Sequence, residues 1–269
     1  MLHFRGHCME YIKYCKYYAK LWEYLEKHSK SSADLAEEIC QYRGYKDIKR
    51  WQKLFQEVGL AKVSNDDISA TALRKHFPEE LGIWGSQGFL LENTYMIPVR
   101  DMVGNIIAIV GWVPGKKYIT TASEYFDKSC LFFGMEQFSY YHPQIYGRDK
   151  LYSFFIVEGI FDCLALRSLG FRCLGNMGIT GSPVKSRLMT LCKKVVAIPD
   201  GDGAGQRVVE KDEWMLPATG TYVSIPTSMK DFGIKDVDDI IKMFEAKDVI
   251  EYFKTFLKEK DRKVVLNLV

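Results

Sequence analysis

Apolar residues recur at helical spacing through the first part of the chain: Leu21, Trp22 and Leu25, then Leu35, Ile39 and Cys40, then Trp51, Leu54, Phe55 and Val58. Positions three and four apart share one face of a helix, so the pattern predicts three amphipathic helices. Ser31-Ser32-Ala33-Asp34 supplies side-chain oxygens that cap a helix N-terminus, and Gly59 ends the third helix ahead of a strand-like Leu60-Ala61-Lys62-Val63. This order resembles that of a winged helix. Lys46, Lys49, Arg50 and Lys53 on the third helix suit either a phosphate backbone or a plain solvated face. Asn65-Asp66-Asp67 breaks the pattern and closes an N-terminal helical region of residues 1–65.

The period then changes. Tyr95-Met96-Ile97-Pro98-Val99-Arg100 and Ile106-Ile107-Ala108-Ile109-Val110-Gly111-Trp112 flank a turn at Val103-Gly104-Asn105, which predicts a hairpin. Lys116, Lys117 and Lys128 follow, so residues 66–149 read as a basic α+β subdomain. From 151 to 225, apolar runs, helical patterns and glycine turns alternate as in a doubly wound, Rossmann-like parallel sheet, giving an α/β unit over residues 150–245. Tyr152–Val157 is one buried strand, the helix after it carries Leu164, Leu166 and Leu169 before Gly170, and Lys194–Ile198 is a second strand. In the tail, residues 246–269, Val249, Ile250, Tyr252, Phe253 and Phe256 predict one amphipathic helix, with a short strand after it.

Two of these strands run straight into acid and glycine: Val157-Glu158-Gly159-Ile160-Phe161-Asp162 and Ile198-Pro199-Asp200-Gly201-Asp202-Gly203-Ala204-Gly205. A strand end is a fixed place, and clustered carboxylates are hard oxygen ligands for a magnesium-like ion. Glycine there lets the backbone turn and leaves room for phosphate and metal around Asp200 and Asp202. A lone Asp-Gly-Asp reads as a surface turn, but here a second acidic strand end accompanies it. Lys235-Asp236-Val237-Asp238-Asp239 reads as a helix N-cap with an acidic first turn, a role compatible with metal binding by one of its carboxylates.

Composition narrows the class. The chain has 269 residues, 47% hydrophobic and 14% aromatic, enough to fill sizeable cores. It has no apolar run long enough to span a bilayer and no basic-then-apolar start, so no membrane association and a cytoplasmic location are expected. Seven scattered cysteines suggest reduced thiols rather than a disulfide framework. A net charge of +3 permits nucleic-acid binding without requiring it. His3, His7, Cys8 and Cys15 lack CxxC or CxxH spacing, so no zinc is expected. There is no GxxxxGK[ST] phosphate loop.

In chain order, MIPVRDMVGNIIAIVGW, KKYITTASEYFDKSCLFFG, VEGIFDCLALRSLGF, VVAIPDGDGAGQRVVE and KDVDDII resemble a DnaG-type primase, bacterial or phage, over roughly residues 85–245. The resemblance implies a Toprim domain preceded by part of the primase RNA-polymerase domain. It implies synthesis of short RNA primers on single-stranded DNA from ribonucleoside triphosphates, with Mg2+ or Mn2+ as cofactor. Carried over by motif, Glu158, Asp200 and Asp202 are the catalytic acids. The metal set is Glu158, Asp162, Asp200, Asp202, Asp236 and Asp238, and Arg100, Lys117 and Lys128 contact nucleotide or template. Where the family commonly has Gly-Gly-Arg, this chain has Val110-Gly111-Trp112, so one cleft arginine is missing. The family's zinc-binding and helicase-recruiting modules are not recognisable. This suits a compact mobile-element primase of phage or plasmid origin that relies on a replicative helicase or a separate DNA-binding protein in trans. The rival readings are a Toprim nuclease or topoisomerase-like enzyme, and a non-catalytic winged-helix DNA-binding protein with a vestigial Toprim domain.

Overall fold

The computed structural model describes residues 2–64, 70–85, 88–116, 118–121, 127–139 and 151–268. The chain divides into two compact units, Met1–Asp127 and Lys128–Val269. The boundaries expected near residues 66 and 150 fall on segments 65–69 and 140–150, outside the described residues.

The first unit begins with α1 (Leu2–Lys27), α2 (Ser32–Arg43) and α3 (Ile48–Val58). α1 buries Tyr14, Tyr18, Leu21, Trp22 and Leu25 along one stripe, and its tyrosine hydroxyls reach carbonyls, Tyr14 to Ile107 at 2.7 Å and Tyr18 to Leu81 at 2.6 Å. Ser31 caps α2 by accepting from the Asp34 amide at 3.2 Å, and Asp47 caps α3 by accepting from the Arg50 amide at 3.1 Å. Gly59 closes α3 with φ of 97°, a conformation that favours glycine. Lys46, Lys49 and Lys53 are exposed and Arg50 is half-buried.

The segment after α3 is held by a neighbouring strand. Among the described residues no hairpin of its own follows α3; Leu60, Ala61 and Val63 are buried, and Ala61 exchanges hydrogen bonds with Met96 at 3.1 and 2.7 Å. Too short to pair with itself, the segment lies along β3 (Tyr95–Arg100). That strand pairs antiparallel with β4 (Ile106–Trp112), which pairs with β5 (Ile119–Thr120). The predicted hairpin is present, its turn held by the Asp101 carboxylate, which accepts from the Val103 and Asn105 amides at 2.9 Å. The unit also contains α4 (Ala70–His76) and a small ribbon of β1 (Trp84–Gly85) with β2 (Gly88–Phe89).

The second unit is built on a five-stranded, fully parallel sheet of β6 (Leu151–Val157), β7 (Cys173–Gly175), β8 (Cys192–Ile198), β9 (Gly220–Ser224) and β10 (Lys263–Val265), in the order β10-β9-β8-β6-β7. Phe154, Phe155, Ile156 and Val157 of β6 and Val195, Val196, Ala197 and Ile198 of β8 are buried, as central strands covered on both faces require. Its helices are α5 (Glu136–Ser139), α6 (Ile160–Ser168), α7 (Pro183–Met189), α8 (Gly203–Lys211), α9 (Val237–Met243) and α10 (Ala246–Phe256). The tail forms the expected helix and strand: Phe253 of α10 packs against Phe155 and Phe171, and β10 extends the sheet beyond β9. No helix of the described residues is long and apolar enough to cross a membrane.

Candidate metal centre

Parallel strands deliver their carboxyl ends to one edge of the sheet, and three acidic segments meet there. Glu158 follows β6 directly, and Asp162 lies in the first turn of α6. Asp200 and Asp202 follow β8, with Asp202 the N-cap of α8; its Oδ1 accepts from the Ala204 and Gly205 amides at 2.9 and 2.8 Å. Asp236 is the N-cap of α9 and accepts from the Asp239 amide at 2.9 Å, so the expected capping role is present within the acidic group. The segments are tied by main chain. The Asp238 amide donates to Asp162 Oδ1 at 3.0 Å, and the Gly201 amide donates to the Lys235 carbonyl at 2.6 Å.

The glycines divide the work differently from the sequence expectation. A Cβ at Gly205 would overlap the Asp200 carbonyl, and one at Gly201 would press on Ile225, so both glycines are required by packing of the loop on itself. Only Gly203 faces open space.

Burial and mutual repulsion raise the proton affinity of Glu158, Asp162, Asp200 and Asp236. Desolvation, then the Asp202 charge, pushes Glu158 up to about 6, against a hydrogen bond from the Asp200 amide. Desolvation, then Glu158, Asp236 and Asp202, pushes Asp200 to about 8, with Lys235 opposing. Asp162 lies well above the usual carboxylate range through burial and then Asp236, Asp200 and Asp238, while Asp236 is raised by burial and by Asp239. Glu158 Oε2 is buried with no hydrogen-bond partner. Oxygens of Asp236, Asp238 and Asp239 lie within 4.8 Å of one another. An orphaned buried carboxylate oxygen and acids that cannot all ionise together fit a divalent cation.

The structure thus brings Glu158, Asp162, Asp200, Asp202, Asp236 and Asp238 into one mutually interacting group. Asp239, which sequence reasoning treated only as part of a helix start, stands among them; the run Asp236-Val237-Asp238-Asp239 carried that signal. Lys242 bonds Asp238 at 2.5 Å and reaches Asp239 at 3.6 Å. A further support was not anticipated. The loop after β7 donates its Asn176 amide to the Val157 carbonyl at 2.7 Å and its Met177 amide to the Glu158 carbonyl at 3.0 Å. Buried Lys185 fixes that loop through the Asn176 carbonyl and side-chain oxygens at 2.6 and 2.8 Å.

The three basic candidates lie on other segments of the chain. Arg100, half-buried at the end of β3 in the first unit, donates to the Gly104 carbonyl at 3.3 Å. Lys128 is exposed at the start of the second unit, and Lys117 lies outside the described residues. Trp112, at the position of the missing cleft arginine, is buried beside Tyr95 at 5.6 Å, with the Arg43 guanidinium 5.5 Å from its ring.

Comparison with known proteins agrees with this geometry. Residues 155–241 match the Toprim-like family. A DNA primase of Lactococcus lactis subsp. lactis (strain IL1403) is 26% identical over 259 aligned residues, covering 86% of this chain, and the chain spans 39% of that relative's length. Among solved structures, the DnaG primase catalytic domain bound to ssDNA superposes with a TM-score of 0.69 at 15% identity, covering 92% of this chain and 80% of that one. The RNA polymerase domain of Mycobacterium tuberculosis primase DnaG gives 0.66 at 17% identity, covering 89% and 82%. The E. coli primase catalytic core gives 0.66 at 17% identity, covering 91% and 79%. The chain therefore carries a Toprim domain, and its fold is that of the DnaG primase catalytic core.

Proposed function

We propose that this chain is a DNA primase catalytic core that builds short RNA primers on single-stranded DNA from ribonucleoside triphosphates. The observation that carries the reading is the convergence of Glu158, Asp162, Asp200, Asp202, Asp236 and Asp238 at the carboxyl edge of a Toprim sheet, with Glu158 Oε2 left buried and unpaired. Asp200, Asp202, Asp236 and Asp238 would hold Mg2+ or Mn2+, with Glu158 beside them as the proton acceptor. Bound divalent ions would supply charge stabilisation at the reacting phosphate and orient the two reactants in line.

The chain's own residues do the rest. In the transfer, a 3′-oxygen bonds to the α-phosphorus of the incoming nucleotide, the α–β bridging bond breaks, and pyrophosphate leaves. Glu158, at the end of β6, takes the hydroxyl proton. Asp162 is bonded through Asp238's amide and holds α9 against α6, keeping the third acidic segment in register. Arg100, Lys117 and Lys128 contact nucleotide or template. Single-stranded DNA and ribonucleoside triphosphates are the immediate partners, with a replicative helicase or a DNA-binding protein acting in trans.

The test is direct: the purified chain with single-stranded DNA, labelled ribonucleotides and Mg2+ or Mn2+ yields short RNA, and Asp200→Asn and Asp202→Asn each abolish it. Metal-dependent nicking of DNA, or a gel shift with no metal requirement and no RNA product, would contradict the assignment.

A further inference from the structure

Two lysines accompany the last acidic segment, in different surroundings. Lys242 is 23% exposed and bonds Asp238 on the next turn of the same helix. Lys235 is 67% exposed, and its ammonium lies 3.4 Å from Asp236 Oδ2. The Lys235 backbone, by contrast, is held on both sides. Its amide donates to Asp239 Oδ2 at 3.2 Å, and its carbonyl accepts from the Gly201 amide at 2.6 Å. The residue is thus clamped where the Asp200–Asp202 loop meets the Asp236–Asp239 turn, while its charge is tethered by an ion pair whose ammonium end is in solvent and whose carboxylate is largely buried.

A lysine with its ammonium in solvent, 3.4 Å from a carboxylate, is readily exchanged for a more strongly attracted cation. A divalent ion brings twice the charge and a stronger preference for carboxylate oxygens. We propose that Lys235 is the resident counter-cation of the acidic centre: it neutralises Asp236 in the metal-free protein, yields that carboxylate to a divalent ion, and so sets the metal concentration at which the centre fills. Lys235 is a positioning residue, acting through Asp236 rather than on substrate. The inference rests on the metal-binding reading above.

Manganese binding to the full chain, followed by electron paramagnetic resonance of the free ion, tests it on wild type, Lys235→Gln and Lys235→Arg at low and high ionic strength. Lys235→Gln is expected to bind Mn2+ roughly twofold to tenfold more tightly at low salt, with the difference shrinking as salt screens the charge. Lys235→Arg should stay near wild type. In chelator, Lys235→Gln should melt below wild type, and saturating Mn2+ should close that gap. A lysine with only a packing role would leave affinity unchanged or weaken it, so equal or looser Mn2+ binding by Lys235→Gln overturns the proposal. A wild-type chain that binds no Mn2+ at millimolar concentration would overturn the metal reading itself, and this inference with it.

Discussion

Glu158 shows how one side chain is prepared for chemistry. Its strand ends in buried Ile156 and Val157, its main chain is braced by the loop that Lys185 fixes, and one carboxylate oxygen is buried without a donor. The group is therefore costly as a bare anion. Glu158→Gln should lower primer synthesis on the order of a hundredfold to ten-thousandfold while holding or raising the melting temperature in chelator, because an unfavourable buried charge is removed. A variant that loses activity and also melts markedly lower would make Glu158 a structural residue. Glu158, Asp200 and Asp202 were legible as acids at strand ends because each sits beside glycine after an apolar run. Asp239 was not, since an acid in the first turn of a helix has an ordinary capping explanation, and Asp236 does cap α9. Lys185 gave no warning either: a lysine in a polar helix reads as surface until folding buries it against Asn176.

Loops and helices carry the next level. α8 begins so close to the end of β8 that Gly205 lies against the Asp200 carbonyl, and Gly205→Ala should cost about 1–3 kcal/mol by forcing the loop aside. Denaturant unfolding measures that loss, and an unchanged midpoint would contradict the packing described. Phe253 of α10 is fully buried against Phe155 and Phe171, so Phe253→Ala should cost about 3–5 kcal/mol, read in the same experiment. The strands β6 and β8 could be read in advance from unbroken apolar runs. β7 and β9 could not, because Cys173-Leu174-Gly175 and Gly220-Thr221-Tyr222-Val223-Ser224 are short, and what makes them strands is pairing to β6 and β8. Leu60–Val63 is a similar case, its placement decided by the neighbouring Met96 rather than by its own sequence.

For the molecule as a whole, the acidic centre links stability to pH and to metal. Carboxyls raised in the folded state retain protons that the unfolded chain releases above about pH 4. Their contribution to stability is complete below that pH and is lost as pH rises through the folded values, about 6 for Glu158 and about 8 for Asp200. Stabilisation by Mg2+, measured as the melting shift between chelator and saturating ion, should therefore be larger at pH 8 than at pH 5, because at pH 5 the ion must displace protons. Equal shifts at the two pH values would contradict this linkage. The most direct test of the central claim is crystallographic: anomalous diffraction at the manganese edge from crystals grown with Mn2+. The account predicts a peak within coordination distance of carboxylates from both the Asp200–Asp202 loop and the Asp236–Asp238 turn. Well-ordered carboxylates with no peak between them would contradict it.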